Sequence, residues 1–448
     1  MHIIAALPGL IALIIAVQRG PACAYLNVYL PVLFLLPTYY RWFAPGLPDP
    51  SFHHAAIIPI AAIWFMRDAY RFRLSIMDAV VILLAFMIGL SEYIAAGYKE
   101  AQNLIIDLIA AVILPYFLTK ALVAPNGLNV EVGKRIVLLL FAVATISLWE
   151  FKMGYTPWAR ILDNFFPGQN NWVTTFRWGF TRIAGPYGHA ILAGIIMVVG
   201  FRLQRWLQWR NHWEDRRKAQ LITLGMVGGV IMTMVKGPWI GAIAGAAVML
   251  VGRSRRPGPT LMVIAILVVT LSIPGFMWLK SWAGVGRENA KTVTQETAAY
   301  RWELIEKYWD IAVDHALLGW GRNTWPQVPG MPSIDNYYLL LAIMHGVPAV
   351  LLLWFVFVWM PVRLMLRGVR APPGSEIRVL TFTLASIYAV YLVSLATVYL
   401  GGQTIQLLFI ITGWAEGMLI YRIREPSTGQ TTDVAEDRRP FNFKRVLR

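Results

Sequence analysis

Long apolar segments alternate with short polar ones along nearly the whole chain. A bilayer core requires about 20 helical residues, and thirteen runs reach or approach that length. The third is short and contains Pro59, so twelve spans plus a partial or re-entrant segment fit equally well. The runs lie at about residues 3–18, 22–40, 54–67, 76–96, 101–124, 134–152, 183–203, 219–235, 237–252, 260–279, 337–360, 378–400 and 403–421. The pattern predicts an all-α, polytopic transmembrane helical bundle of about 12 to 13 membrane helices.

The polar gaps divide the predicted bundle into four parts. No soluble domain and no repeat of about 20 to 50 residues is visible, and no removable signal peptide is expected, because the first run lacks a basic flank and a cleavage site. The parts are residues 1–279, with about ten spans and an external loop at 153–182; a large external loop, 280–336; three spans in 337–421; and a cytoplasmic tail, 422–448, expected to be disordered.

Basic residues indicate the orientation. When the spans are alternated, the Arg and Lys clusters at 67–73, 202–218, 253–256, 363–378 and 422–448 all fall on one side, which is predicted to be cytoplasmic. The 280–335 loop falls on the other side, and its six basic residues against seven acidic ones fit a translocated segment. The N-terminus is then external with thirteen spans and internal with twelve.

Composition supports the membrane assignment. The chain is 57% hydrophobic and 14% charged, against about 25% charged in soluble proteins. Its net charge of +16 fits loops facing anionic lipid rather than nucleic acid. A single cysteine, Cys23, rules out a disulfide framework, and seven scattered histidines contain no H-x-x-x-H pair, so neither a metal site nor a cofactor is expected.

The large external loop holds the longest polar segment between two apolar ones. Its stretch Thr297–Leu318 spaces Trp302, Ile305, Trp309 and Val313 at three or four residues, which predicts an amphipathic helix. Another face carries Arg301, Tyr308 and His315; a turn, Gly319-Trp320-Gly321-Arg322-Asn323, follows, and Pro326, Pro329 and Pro332 lead to Asp335-Asn336-Tyr337-Tyr338 before the next apolar run. Arg301, Arg322 and Asp335 could therefore meet at a membrane surface.

The 153–182 loop and the 235–239 turn add further cations. The loop contains Arg160, Arg177 and Arg182 but a single acidic residue, Asp163. A guanidinium is a planar, permanently charged donor for phosphate oxygens. Arg182 is the first candidate for a pyrophosphate contact, with Arg177 beside it; both could instead snorkel to lipid phosphates. Lys236 joins two apolar runs with almost no loop, where it either faces a substrate or caps a helix C-terminus.

Asp335 is the candidate acid–base residue. It could accept a proton from a sugar hydroxyl or orient that hydroxyl, although an ordinary Asp, with a pKa of about 3.9, is a weak base. Its architectural alternative is the N-cap of the following helix. Ion pairing is favoured for three other acids, with binding of substrate hydroxyls as the alternative: Glu92, Glu150 and Asp107. His345 lies deep enough in a membrane run to be functional or hydrogen-bonded.

These motifs resemble the large loop of the O-antigen ligase and O-antigen polymerase superfamily. That family has an Arg near the loop-helix start, a His-Pro near its end, a G-x-G, and His-Asn or Asp-Asn before the next helix. Arg301, His315-Ala316, Gly319, Gly321 and Asp335-Asn336 occupy those places, and Arg182 with Gly185-Pro186 resembles a second family patch. Here Ala316 stands where Pro is common, Val-Lys-Gly replaces Ser-Arg-Gly at 235–237, and Asp335 stands where ligases usually carry His, which favours a polymerase-like member.

The resemblance implies a metal-independent glycosyltransferase of the GT-C-like kind, working at the external face of a bacterial inner membrane. Its implied donor is a glycan on undecaprenyl diphosphate, and its acceptor is a second glycan or a lipid. Membrane lipids, a flippase and chain-length or export proteins are the implied partners, and no nucleic acid is expected. The implied catalytic residues are Asp335, Arg301 and Arg182; the substrate-binding residues are Lys236, Arg177, Arg322, Asn336, His315 and Tyr338.

Three alternatives remain at this level. An O-antigen ligase would transfer the glycan to lipid A-core. A transporter or flippase would also be all-helical, but would be expected to show paired internal repeats and helices broken near mid-membrane, and neither is apparent in the sequence. A non-catalytic subunit of an export system would need none of Arg182, Arg301 or Asp335.

Overall fold

The computed structural model describes residues 2–43, 49–331 and 333–421, so the predicted tail at 422–448 and Pro332 lie outside the described residues. Fifteen helices and one short hairpin make up its regular α and β structure. The helices are α1 Leu7–Arg19, α2 Pro21–Leu35, α3 Phe52–Asp68, α4 Ile76–Ala96, α5 Tyr98–Leu122, α6 Asn129–Met153, α7 Pro157–Leu162, α8 Ala190–Trp209, α9 Arg216–Thr233, α10 Lys236–Arg253, α11 Pro257–Ala283, α12 Val293–Asp314, α13 Tyr337–Arg370, α14 Glu376–Leu395 and α15 Gln403–Ile420. The hairpin pairs β1, Phe176–Arg177, with β2, Phe180–Thr181.

The all-α membrane fold predicted from the apolar pattern is confirmed. Each of the thirteen predicted runs contains one of these helices, and α7 and α12 are the two additional helices in the predicted external loops. Eight helices of the described chain, α4, α5, α6, α8, α11, α13, α14 and α15, are long and apolar enough to cross a membrane. The count of 12 to 13 crossings stays a prediction, because the other five fall short in length or hydropathy.

Contacts between helix ends define two opposite faces of the bundle. On the first, the basic face, Arg210 pairs with Glu376 at 2.7 Å, and the Arg67 guanidinium donates to the Val17 carbonyl at 3.1 Å. The second, the loop-bearing face, carries segments 36–43, 49–51, 154–189, 284–331, 333–336 and 396–402. This grouping agrees with the alternation of spans predicted from the basic clusters.

Small residues bring α10 and α14 into backbone contact. Gly241 and Gly245 lie four residues apart on one side of α10, and a Cβ at either would lie 2.9 or 2.8 Å from the carbonyl oxygens of Val390 and Ser386. Such small-xxx-small spacing permits close helix packing in membranes, where van der Waals contact replaces the hydrophobic drive. Gly237, one turn earlier, brings the start of α10 against Thr397 in the 396–402 loop.

Helix α13 is broken at Gly346, which has φ +84°. The Gly319-Trp320-Gly321 turn fills the break: the Trp320 N–H donates to the Ile343 carbonyl at 2.8 Å, and the Gly321 N–H donates to the Met344 carbonyl at 2.9 Å. In return the Val347 N–H donates to the Ala316 carbonyl at 2.7 Å. Each backbone group left unpaired within a membrane would cost several kcal/mol, so the external loop completes a membrane helix.

The amphipathic loop helix is confirmed as α12, but its predicted tryptophan stripe points away from the protein. Ile305, Trp309 and Val313 are 41%, 60% and 53% exposed. The packed face instead contains Ala299, Leu304, Tyr308 and Ala312, all buried, and the Tyr308 hydroxyl donates to the Met331 carbonyl at 2.8 Å. Arg301 therefore lies toward the packed side of the helix.

The two faces can be assigned with matched thiols in a Cys23→Ser protein. Glu288 lies in the 284–292 segment and Glu214 between α8 and α9, and both side chains are exposed. We expect Glu288→Cys to react with an impermeant thiol reagent in intact spheroplasts, and Glu214→Cys to react only after permeabilisation. The reverse pattern would overturn the predicted orientation.

The fit of the turn into α13 can be measured as stability. Gly319 and Gly330 both have positive φ, +68° and +76°. A Cβ added at Gly319 would overlap the Met344 carbonyl, whereas no atom lies within 4 Å of a Cβ added at Gly330. Gly330→Ala should cost about 1–2 kcal/mol for the left-handed conformation alone. Gly319→Ala should cost roughly 2 kcal/mol more because of overpacking. Equal losses of thermal midpoint in detergent would contradict the closure described here.

Candidate functional site

The turn between α9 and α10 collects three cations on the loop-bearing face. From the 176–181 hairpin and the residue after it, Arg177 donates to the Met234 carbonyl at 2.5 Å, and Arg182 donates to the Thr233 carbonyl at 3.1 Å. These carbonyls end α9, where unpaired acceptors and the helix dipole favour positive charge. Lys236 begins α10 two residues later, and its side chain is exposed.

A buried carboxylate fixes the chain that carries the two arginines. Glu150, at the end of α6, is 0% exposed and accepts hydrogen bonds from the backbone N–H groups of Ala184 and Gly185 at 2.6 and 2.9 Å. The Trp172 indole donates to it at 3.0 Å. The ion pair predicted for Glu150 is therefore replaced by N–H donors, which tie the 154–189 segment to the bundle.

Arg301 reaches the same region from α12. Its guanidinium donates to the Thr397 carbonyl at 3.4 Å, and Thr397 is the residue against which Gly237 packs. The Arg301 Nε is buried and has no hydrogen-bond partner among the described residues. Arg301 is therefore linked to the start of α10 through Thr397, and its Nε remains available as a donor.

Asp335 lies at the start of α13 but does not cap it. The Asn336 side chain is the cap, accepting from the N–H groups of Tyr338 and Leu339 at 3.1 and 3.2 Å. The Asp335 carboxylate accepts from the Ser333 hydroxyl at 3.3 Å and is partly exposed. Burial and then the Asp335 charge raise the pKa of Tyr300. The helix N-cap role considered for Asp335 is thus taken by Asn336.

His189 joins the site without having been predicted as a member. It caps α8, its Nδ1 accepting from the Ile191 N–H at 3.1 Å, and its ring packs edge-on to Tyr399 with centroids 6.2 Å apart. Burial and the Arg182 charge hold the pKa of His189 below its usual range, while Asp335 opposes them. With Nδ1 accepting, the neutral ring carries its proton on Nε2 and offers an N–H donor. The available signal was a histidine directly between a Gly-Pro-Tyr-Gly turn and an apolar run.

Together these residues form the cationic site, defined as Arg177, Arg182, His189, Lys236, Arg301 and Asp335. Burial and the neighbouring Arg177 lower the pKa of Arg182 to about 10, which leaves it charged at neutral pH. Four permanent cations beside one carboxylate suit a polyanion such as a diphosphate, bound close to a proton acceptor. Among residues 2–43, 49–331 and 333–421, no group of three His, Cys, Asp or Glu side chains could hold a metal.

The remaining predicted residues lie elsewhere. Arg322 pairs with the fully buried Glu92 at 3.1 Å, and its own N–H also donates to that carboxylate at 2.9 Å. His315 stacks on Trp320, fourteen residues and about 21 Å along α12 from Arg301. The Tyr338 hydroxyl donates to the Leu392 carbonyl at 3.0 Å. Arg322, His315 and Tyr338 are thus occupied in holding the loop and bundle together.

Two further side chains fit the sequence-based expectations. His345 forms a hydrogen bond with Ser91 at 3.1 Å, as one of its two predicted roles required. Asp107 pairs with Arg41 at 3.0 Å, in line with the ion pairing favoured for it.

Comparison with known proteins finds a family resemblance that covers part of the site. A family model described as O-antigen ligase matches residues 221–354, which run from within α9 to within α13 and include Lys236, Arg301 and Asp335. Arg177, Arg182 and His189 precede this segment. No curated protein matches the chain. The match confirms, for the segment from α9 to α13, the resemblance to the O-antigen ligase and polymerase superfamily predicted from the loop motifs.

Proposed function

We propose that the protein is a membrane glycosyltransferase that moves a glycan from undecaprenyl diphosphate to an acceptor sugar hydroxyl. In this proposal it polymerises O-antigen or exopolysaccharide repeat units. The observation that carries the proposal is the convergence of Arg177, Arg182, Lys236 and Arg301 on one turn, although three separate chain segments supply them. The family supports a lipid-linked glycan as substrate.

The cationic site is suited to the diphosphate. Each arginine uses one donor on a backbone carbonyl, and a guanidinium has five N–H donors, so donors remain for phosphate oxygens. His189 adds a neutral N–H donor from the start of α8. The three arginines are held by backbone carbonyls before any substrate arrives, which limits the reorganisation needed as charge develops on the leaving group.

Asp335 would act on the acceptor. The acceptor hydroxyl oxygen attacks the anomeric carbon from the face opposite the diphosphate, and Asp335 accepts the hydroxyl proton. The new C–O bond forms as the bond from the anomeric carbon to the diphosphate oxygen breaks, and the electron pair leaves with undecaprenyl diphosphate. The released charge is stabilised by the arginines and Lys236. Configuration at the anomeric carbon is inverted, and the step is balanced without a metal.

Two observations bear on the alternatives. Helix α13 is broken within the membrane run, which was not apparent in the sequence, and this feature is shared with transporters. Its freed carbonyls, however, accept from the Trp320 and Gly321 N–H groups and are not open to a transported substrate. An O-antigen ligase acting on lipid A-core is the second candidate, favoured by the description of the matching family; Asp335, in place of the ligase His, favours polymerisation.

The proposal also assigns a location and partners. The loop-bearing face would be periplasmic, in a bacterial inner membrane, because the basic face carries the Arg clusters expected in the cytoplasm. A flippase would deliver the lipid-linked glycan to that face. Chain-length or export proteins would receive the product.

The phosphate contacts can be tested by removing one arginine at a time. Charge-assisted contacts are worth roughly 1.5–3 kcal/mol, so Arg182→Ala and Arg301→Ala should each lower turnover of the lipid-linked glycan at least about tenfold at unchanged protein level. Lysine replacements should recover part of the activity, because they keep the charge without the fork. Arg160→Ala is the matched control, since Arg160 contacts Tyr155 on the outside of the same loop. Full activity in either site variant would leave that arginine as a lipid-phosphate anchor.

Asp335→Asn separates chemistry from architecture. Asn336 already caps α13, so the substitution should leave expression and thermal midpoint unchanged. Loss of the proton acceptor should lower transfer by roughly 10²-fold or more. Asp335→His should keep measurable activity, and Asp310→Asn, on the exposed side of α12, should keep all of it. Near-normal product from Asp335→Asn would rule out the catalytic role proposed for this carboxylate.

A further inference from the structure

We infer that a second cavity on the loop-bearing face is a binding site for an uncharged, hydroxyl-rich sugar ring of the acceptor glycan; this inference rests on the proposed glycosyl transfer. The cavity has a volume of about 620 Å³, within the roughly 300–1,000 Å³ typical of small-molecule sites. It lies between residues 38–43 and 51–54, α5, the 167–171 segment and the start of α15. Its polar lining includes Arg41, His54, Asp107, Gln169 and Gln406, and its aromatic lining is Tyr39 and Phe43.

The charged groups of the cavity are paired with one another. Asp107 lies 3.0 Å from the Arg41 guanidinium and 3.2 Å from His54 Nε2. The Gln169 amide bonds the Arg41 backbone twice, accepting from its N–H at 2.7 Å and donating to its carbonyl at 3.0 Å. This wall is therefore held in place and internally compensated, in contrast to the cationic site. Such a lining suits a neutral ligand better than a phosphate.

Gln406 indicates the chemistry of the missing partner. Gln406 lines the cavity and is 3% exposed, and its Oε1 is a buried atom without a hydrogen-bond partner among the described residues. An unpaired buried acceptor costs about 1–3 kcal/mol. An amide oxygen requires a donor, and a sugar hydroxyl supplies one. Asp107 and the Asn171 amide give additional partners for neighbouring hydroxyls, and Tyr39 supplies an aromatic surface.

The cavity adjoins the cationic site through two short loops. A Cβ at Gly188, the residue before His189, would lie 3.5 Å from the Tyr39 ring. Gly402, which lines the cavity, follows Tyr399 by three residues, and Tyr399 packs on His189. A glycan whose reactive hydroxyl meets Asp335 near His189 can thus place another of its sugars in the cavity. The cavity would select the acceptor, while the cations would hold the donor.

Thiol protection tests the site without requiring turnover. In a Cys23→Ser protein, Asn171→Cys places a thiol at the cavity and Asn164→Cys places one on the same face outside it; both native side chains are exposed. The probe is the repeat-unit oligosaccharide released by mild acid from the lipid carrier of the producing bacterium, so that it carries no lipid or diphosphate. At about four times its Kd the probe would leave about one fifth of sites open, slowing maleimide reaction at Asn171→Cys about fivefold and leaving Asn164→Cys unchanged.

Two additional variants separate the cavity from the cationic site. Gln406→Leu should abolish the protection; if that variant does not fold, Asp107→Asn serves the same comparison. Arg182→Ala should leave the protection intact, because the probe lacks phosphate. Absence of protection, protection by undecaprenyl phosphate alone, or unchanged protection in the cavity variant would overturn the inference. A different result would refute the proposed function: the oligosaccharide still protects the thiol, but Arg182→Ala and Asp335→Asn both keep normal glycan transfer. The cavity would then remain a sugar-binding site without the proposed reaction.

Discussion

Three backbone hydrogen bonds at the break in α13 are the contacts on which the rest of the loop-bearing face depends. They pair Ile343, Met344 and Val347 with the 316–321 segment, inside a region where water cannot substitute for a missing partner. The same bonds hold the chain that follows α12, the helix carrying Arg301, against α13. Asp335 follows at the start of the same broken helix. The geometry of the cationic site is thus tied to the pairing of a membrane helix, so that the loop cannot move far without exposing buried backbone groups.

Two buried glutamates repeat one architectural device on either side of this junction. Glu92, at the outer end of α4, holds the backbone and guanidinium of Arg322; Glu150, at the outer end of α6, holds the Ala184 and Gly185 N–H groups. Both are 0% exposed. If either carboxylate lost these donors, its buried negative charge would be left without compensation, at a cost well above that of an ordinary hydrogen bond. Glu92 therefore fixes the loop that follows α12, and Glu150 fixes the 154–189 loop, to the helix bundle. Neither carboxylate pairs with Arg182 or Arg301, so these cations remain available to a ligand.

Much of this arrangement was predictable because it depends on local patterns. Apolar run length located thirteen helices, and three- and four-residue spacing located α12. The roles of Arg182, Arg301 and Asp335 stay predictions, made from residue chemistry together with the resemblance of the loop motifs. The break at Gly346 was not predictable from hydropathy, since the apolar run continues through it and the closing partner lies in another segment. The outward direction of the tryptophan stripe likewise depends on what α12 packs against. Leu304 and Tyr308 pack on α13, Met331 and Ile334. The outward-facing aromatic residues of α12 are compatible with a lipid or interfacial environment.

Long-range contacts account for the other differences. Arg322 and Glu92 are 230 residues apart in the sequence. The local motif around Arg322 therefore predicts a phosphate contact but cannot show that its guanidinium is already paired with Glu92. His189 was hidden by its position at a helix start, where a histidine cap is uncommon and the Arg182 and Asp335 charges converge only in the fold. Adjacent Asp335 and Asn336 were both acceptable caps. Which of them turned toward the helix was decided by the backbone conformation between the proline-rich segment and α13.

The bare surface of α11 has a consequence for how the site keeps its shape. None of the most apolar part of α11 is buried. A helix exposed along its length in this way can tilt with bilayer thickness, or acquire substitutions, without disturbing a packed core. Its outer part is joined to the loop helix, because the Gln295 amide donates to the Trp282 carbonyl at 3.0 Å and the Phe276 ring centroid lies 5.9 Å from that of Trp302. The far end of α12 is held by α13 instead. A tilt of α11 would therefore be transmitted to the half of α12 that carries Arg301, while the end of α12 next to α13 stays in place.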